Sequence, residues 1–234
     1  MNTTLIVIAS IVVLLILSVV LYRQFFKRFW DIVLSGLAII ILSPTLLVLT
    51  ILGRIKMKGN PFFVQARPGK KGKDGKEKIF NLIKFRSMTE EKDKDGNYLP
   101  DDVRLTKYGR ILRSTSLDEL PELFNIFKGD MSIVGPRPLL PRDVAYMNAV
   151  QHRRHDVRPG LTGLSQCLGR NALDWDVKLA TDVEYVDRVA FLLDCKIIIK
   201  TALKVLKRED VEFDEGLDID LKDWNELKNK ENSK

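Results

Sequence analysis

Asp118 and Glu119 are adjacent carboxylates just ahead of a proline, in the run Ser116-Leu-Asp-Glu-Leu-Pro-Glu122. Further along, Lys128-Gly-Asp-Met-Ser-Ile-Val-Gly-Pro-Arg-Pro138 carries Asp130 and an arginine, Arg137, whose proline neighbours fix the backbone φ on either side. An ionised, positioned carboxylate is a competent nucleophile. A guanidinium presents parallel donors to a phosphate that lysine lacks. Paired carboxylates beside a rigidly held arginine are what chemistry on a phosphate with a metal would need.

Plainer readings compete at each position. Ser116-x-x-Glu119 matches a helix capping box, and Pro-Arg-Pro also makes a turn with an exposed arginine. With Ser116 as N-cap, Pro121 falls past the first turn and loses a helical hydrogen bond. With Asp118 as the cap, Pro121 falls inside the first turn, where its missing N–H costs nothing. Either placement puts both carboxylates at a helix N-terminus, where the helix dipole favours their ionised forms. Asp130 either caps the next turn or serves a metal.

Further cations lie near these runs. Lys84 and Arg86 alternate with Phe85 at the end of a strand, which puts them on one face, and Arg113 precedes the acidic pair. Arg158-Pro-Gly-Leu-Thr-Gly163 and Gly169-Arg170-Asn171 read as basic turns. His152 and His155, in a charged stretch, read as solvated. Cys167 and Cys195 have no metal-ligand spacing and give no disulfide framework, so they read as core residues in a reducing compartment. Neither a P-loop nor a G-x-G-x-x-G is present, which argues against a Walker ATPase or a Rossmann enzyme.

The elements that must hold these residues begin with two apolar segments. Residues 3–22 carry no charge and are long enough to span a bilayer, and Arg23, Lys27 and Arg28 follow at once. The positive-inside rule puts the N-terminus outside and Arg23 in the cytoplasm; an interfacial anchor is the alternative. Residues 32–53 are flanked by positive clusters at both ends, and Ser43-Pro44 sits at their centre. Proline removes a backbone N–H and clashes with the carbonyl of Ile40. Each arm is then roughly 18 Å long, short of the roughly 30 Å hydrocarbon core. A helix broken at Ser43 and Pro44 that enters and leaves by one face satisfies both facts, with the Ser43 hydroxyl or buried contacts available to the freed carbonyls. A proline-kinked spanning helix is the alternative.

The rest of the 234-residue chain is enough for one globular domain. Residues 61–65 and 79–85 form a hairpin around a basic loop, 66–78, and residues 89–102 are a polar surface excursion. Residues 191–208 form an amphipathic helix with a lysine stripe, which either caps the core or lies in the plane of a bilayer surface. Residues 209–234 read as a loosely packed acidic tail. The expected architecture is α+β: mostly helical with a β-hairpin, an N-terminal membrane anchor (1–28), a re-entrant helix (29–58), a catalytic domain (59–208) and the tail. The net charge of +7 beside apolar segments points to anionic membrane lipids and phosphate substrates, with no nucleic acid among the partners.

Lys84-Phe-Arg-Ser-Met88, Asp118-Glu-Leu-Pro-Glu-Leu123, Lys128 to Pro138, Val157-Arg-Pro-Gly-Leu-Thr-Gly163 and Gly169-Arg-Asn171 occur together in this order. Together they resemble the bacterial sugar transferases, and more narrowly the small monotopic polyprenol-phosphate phosphoglycosyl transferases, from about Phe29 to Arg208. The chain departs from the family in the segment before Phe29, which the minimal members lack. It departs again at Leu164-Ser-Gln-Cys-Leu168, where members often carry a Trp-Ala-Gln-Val-Asn type run.

The resemblance implies transfer of a phosphosugar from a UDP-sugar to undecaprenyl phosphate at the cytoplasmic face of the bacterial inner membrane. UMP would leave, and downstream glycosyltransferases would use the product. It implies Asp118 as nucleophile, Glu119 chiefly as a ligand of Mg²⁺ with Asp130 as a second, and Arg137 on a phosphate. Lys84, Arg86, Arg113 and Arg170 would make further phosphate or nucleotide contacts. A non-catalytic membrane-tethered scaffold and a phosphohydrolase using the same carboxylates are the rival expectations.

Overall fold

The computed structural model describes residues 7, 8, 13, 16, 21–57, 59–169, 173–207 and 220–231. Most of the expected N-terminal anchor, the contact expected at Arg170 and the first half of the acidic tail lie outside the described residues.

A π-helical turn, Tyr22–Phe26, leads into helix α1, Lys27–Lys56. By length and composition α1 can cross a membrane. Its buried residues are Asp31, Ser35, Leu46, Leu49 and Gly53, joined by the partly buried Ala38, Ile39 and Leu42. Their spacing of three and four residues makes one continuous stripe. Leu37, Ile40, Ile41, Leu47, Val48 and Ile55 are exposed. The stripe is what the domain covers, and the remaining apolar surface faces away from it.

The helical hydrogen bonding runs through Pro44 with no intervening loop. Ser43 Oγ donates to the Ile40 carbonyl at 2.8 Å. That carbonyl is the one Pro44 leaves without a partner, so the serine repairs the defect locally. Re-entry would therefore take the form of a bend inside the helix.

The hairpin pairs β1, Phe62–Lys71, with β2, Glu77–Phe85, in antiparallel register. Its strands are longer than the alternation of hydrophobic residues implies, and the connecting loop shrinks to 72–76. Pro68 sits within β1 opposite Ile79, and the register shifts between Pro68 and Lys71. A two-stranded ribbon has an unpaired edge on each strand, so a proline is tolerated there.

Short helices α2, Asp101–Arg104, and α3, Lys107–Ser114, follow. A 3₁₀ turn, Leu117–Glu119, then leads to α4, Glu122–Lys128. Strand β3, Ser132–Val134, pairs in parallel with β4, Gly160–Thr162. Between them run α5, Pro141–Val144, and a second 3₁₀ turn, Gln151–Asp156. Helices α6, Leu164–Leu168, α7, Trp175–Asp187, and α8, Phe191–Lys207, complete the domain.

Phe80, Leu82, Leu123, Ile126 and Met131 form one core cluster against the first half of α1. Leu46, Leu49, Phe85 and Leu112 form another against its second half. Both ends of α1 thus dock on the same domain. Asp31 accepts from the Ser132 hydroxyl and the Ile133 amide at one end, and Tyr108 donates to the Leu49 carbonyl at the other.

The described part of the tail is not loose. Leu221–Glu231 is a helix, α9. Its Leu221 and Trp224, one turn apart, pack on Leu139, Met147 and Leu179. Two apolar residues at i and i+3 suffice to seat a short helix, and the acidic character of the preceding stretch conceals them.

Candidate active site

The 3₁₀ turn that carries Asp118 and Glu119 is entered through Ser116, whose φ of 55° lies in the left-handed region. Among non-glycine residues such a conformation costs about 1–2 kcal/mol, and strain of this kind concentrates at functional sites. Ser116 makes no side-chain cap bond, which removes the capping box. Pro121 is the residue immediately before α4, so the two carboxylates sit in a turn of their own ahead of the helix. Leu117 and Leu120 on either side of them pack on the cluster that contains Leu46 and Leu49. The turn is therefore seated on α1, just past Pro44.

Three carboxylates and three cations meet here. Lys84, at the end of β2, reaches Glu119 at 2.8 Å and Glu122 at 3.1 Å. Arg137 places Nη1 and Nη2 on the same Glu119 oxygen at 3.3 and 3.2 Å. Arg113 donates to the Ser87 hydroxyl at 3.0 Å and lends its charge to Asp118.

Burial, seconded by the neighbouring Glu119 charge, raises the Asp118 pKa, while Lys84, Arg137 and Arg113 oppose the rise. The expected stabilisation of an ionised Asp118 by a helix dipole is thus outweighed by desolvation. Glu122, almost wholly buried, is pushed up to about 7 by burial against the pull of Lys84. The Glu119 carboxylate raises the Arg137 pKa.

Not every expected residue joins the cluster. Arg86 lies one residue past β2, where its side chain pairs with Glu90 at 2.5 Å. Asp130 sits beyond the far end of α4 from Glu119, about 10 Å of helix away. There Asn125 Nδ2 lies 3.4 Å from its carboxylate and Lys128 pairs with it at 3.3 Å. Glu119 and Asp130 are therefore not brought together as one ligand pair. The described residues contain no group of three or more His, Cys, Asp or Glu side chains arranged to hold a metal ion. Magnesium needs only one or two protein carboxylates when substrate phosphates supply the remaining oxygens. The hard oxygens of Glu119 and its neighbour Asp118 fit that need.

Two residues beside the cluster escape the sequence reading. A small recess beside the cluster is lined by Arg67, Leu82, Lys84, Glu122, Arg137, Pro138 and Gly160. Arg67 donates to the Pro138 carbonyl at 3.0 Å. Burial, and then the Arg137 charge, lowers its pKa to about 10. The hairpin register pairs Phe63 with Lys84, Gln65 with Leu82 and Arg67 with Phe80. Extending the β1 alternation by one more step would have placed Arg67 on the Lys84 face. Glu122 belongs to the same motif as Asp118 and Glu119, but nothing local to it signals burial.

Residues 22–208 match the family model described as bacterial sugar transferase. The chain belongs to the bacterial sugar transferase family. Over 186 residues it is 46% identical to an uncharacterized sugar transferase of Bacillus subtilis (strain 168), covering 80% of this chain and 90% of that protein. It is 42% identical over 189 residues to a UDP-glucose:undecaprenyl-phosphate glucose-1-phosphate transferase of Klebsiella pneumoniae, covering 76% of this chain and 40% of the other. To an undecaprenyl-phosphate galactose phosphotransferase of Salmonella typhimurium (strain LT2) it is 38% identical over 206 residues, covering 80% and 41%. The chain spans about two fifths of the length of these last two relatives. All of the site residues described above fall within the matched region.

Proposed function

We propose that this chain transfers a phosphosugar from a UDP-sugar to undecaprenyl phosphate, with Asp118 as the nucleophile. The observation that carries this reading is the partly buried Asp118. It is flanked by Glu119, influenced by Lys84, Arg137 and Arg113, and seated on the apolar helix α1. The names of the relatives supply the donor and acceptor classes.

In the first step an Asp118 carboxylate oxygen attacks the phosphorus that bears the sugar. The bond from that phosphorus to the UMP oxygen breaks, and UMP leaves with the electron pair. In the second step an oxygen of the lipid phosphate attacks the same phosphorus and Asp118 departs as a carboxylate. Splitting the transfer lets a soluble donor and an insoluble acceptor use one site in turn. The acceptor oxygen is already anionic near neutral pH, so no general base is required.

Arg137 and Lys84, which pair with Glu119, are placed to contact phosphate oxygens as well. Glu119, with Asp118 beside it, would hold a Mg²⁺. When bound, the ion neutralises charge on the diphosphate and on the departing UMP. Desolvation of Asp118 makes its ionised form more reactive at the cost of a higher pKa.

The fold also supports a location at one membrane face. A helix that crossed the bilayer would carry one end roughly 30 Å from the other side's domain, yet α1 docks by Asp31 near its start and by Leu49 near its end. We read it as re-entrant from the cytoplasmic face, bent at Ser43 and Pro44, which sets the site at headgroup height. The positive clusters at both ends of α1 favour anionic lipid headgroups there. Glycosyltransferases acting downstream would consume the product.

The test is UMP release from a panel of UDP-sugars with Mg²⁺, with and without undecaprenyl phosphate, for wild type and Asp118→Asn. Turnover that needs the lipid and vanishes in the mutant is the expected result. Lipid-independent release would identify a phosphohydrolase, and no release from any donor would leave a scaffold.

A further inference from the structure

Arg137 stands between Pro136 and Pro138, neither of which has an N–H to donate. The carbonyls of this turn must nonetheless find partners, and all three do. The Gly160 amide donates to Pro136 at 3.0 Å. Arg154 Nη2 donates to the Arg137 carbonyl at 2.6 Å. Arg67 Nη1 donates to the Pro138 carbonyl at 3.0 Å. Behind the turn, the Gly135 amide donates to Thr162 at 2.8 Å. The backbones cross so closely that a Cβ on Gly160 would lie 2.1 Å from the Gly135 nitrogen.

Arg154 is the unexpected member. It belongs to a charged run that reads as solvated, yet its side chain is only 2% exposed, as is that of its partner Asp182 on α7. Its Nη2 serves both the Arg137 carbonyl and Asp182 Oδ2, the latter at 2.7 Å, and its Nε adds a second bond to the same oxygen at 3.1 Å. Ser165 on α6 donates to the other Asp182 oxygen at 2.7 Å. Asp182 is thus fixed at both oxygens and compensates the guanidinium, which is aimed at the backbone of the residue that carries the Arg137 side chain. Buried ion pairs are poor sources of stability compared with apolar packing of the same volume. What this one supplies is direction.

We propose that the buried Arg154–Asp182 pair is a positioning device for Arg137, holding its backbone so that the guanidinium meets the donor's phosphate. This rests on the reading that Arg137 binds a phosphate of the nucleotide-sugar. Arg154 touches no substrate; it acts through Arg137. A lysine at 154 would keep the charge but has no fork with which to serve the carbonyl and the carboxylate together.

The test is a double-mutant cycle between positions 154 and 137, read twice. Arg154→Lys is expected to lower kcat/KM for the UDP-sugar about 10- to 100-fold, the loss that a misplacement of about 1 Å produces, while the unfolding temperature stays near wild type. In an Arg137→Ala background the same change should add less than about twofold, because the group it positions is gone. Arg153→Ala, which breaks the neighbouring exposed pair with Asp187, should leave kcat/KM within about twofold of wild type.

The second reading is UDP affinity by calorimetry with Mg²⁺, where the same non-additivity is expected without any turnover. If no donor yields UMP, the transferase reading fails and the UDP cycle still decides the positioning role. If Arg154→Lys does not fold, Asp182→Asn carries the cycle, since the amide can accept from Arg154 and donate to Ser165. Additive losses, or an Arg154→Lys protein that matches wild type, would overturn the proposal. A wild type that binds no UDP would overturn it too, because Arg137 would then hold no phosphate.

Discussion

The carboxylate turn, Ser116–Glu122, and the arginine turn, Gly135–Pro138, meet through the pairing of Arg137 with Glu119. They are held in opposite ways. The first is entered through a left-handed serine and carries two acids that burial pushes toward neutrality. The second has its three carbonyls satisfied and is wedged against β4 at glycine distance. One turn stores electrostatic and backbone strain, the other suppresses motion. Under the proposed function, the nucleophile would gain from being held in an unfavourable medium and the phosphate clamp from being held still.

The largest expected effect strikes the reactive side. Asp118→Asn should reduce UMP release by about 10³-fold or more while leaving the unfolding temperature nearly unchanged. A mutant that retains turnover would remove the distinction between the two turns. On the rigid side, Gly160→Ala should cost about 3 kcal/mol of stability in a thermal or denaturant unfolding experiment, because a methyl group must displace backbone. A change under about 0.5 kcal/mol, the scatter of surface substitutions, would mean the turn is far looser than its contacts imply.

The electrostatic contrast has two pH signatures. Since burial raises Asp118, kcat/KM should fall as pH drops through a value above the ordinary 3.8 of an aspartate. An acid limb at the ordinary value would show that the site is solvated. For Glu122, the folded state binds its proton up to about 7 and the unfolded state only up to 4.5. Between those values the native state carries the extra proton, so stability is fully present below 4.5 and declines as pH rises through about 7. Glu122→Gln should flatten that decline in unfolding temperatures measured from pH 4.5 to 8. The smallest effect belongs to Ser116. Replacing it by glycine should raise stability by about 0.5–1 kcal/mol, the left-handed penalty less glycine's extra chain entropy. No gain would mean that the turn stores no strain.

Much of this site was legible in the chain because its chemistry is written in short, local runs. Asp118, Glu119, Lys84, Arg113 and Arg137 all stand out that way, and in the fold the three cations each interact with Asp118 or Glu119. Pro44 and its repair by Ser43 were equally legible, since a missing N–H and a hydroxyl one residue away are local facts. Arg86 pairs with Glu90 and Asp130 with Lys128, partners set by where a strand and a helix stop. Tyr22, Lys27 and Tyr185 converge on Asp194 from across the chain, a junction that no run of neighbouring residues announces.

By itself, then, the sequence determined which residue types are present at which spacings, and so the apolar helix, the hairpin and the paired carboxylates. Only the tertiary structure decided their surroundings. The burial of Glu122 and Arg154, the reach of Arg67 to Pro138, and the docking of both ends of α1 on one domain all arise between segments far apart in the chain. Local preference fixes what a residue is able to do, but the dielectric around a charge and the donor opposite a carbonyl are set by whatever the rest of the fold packs against them.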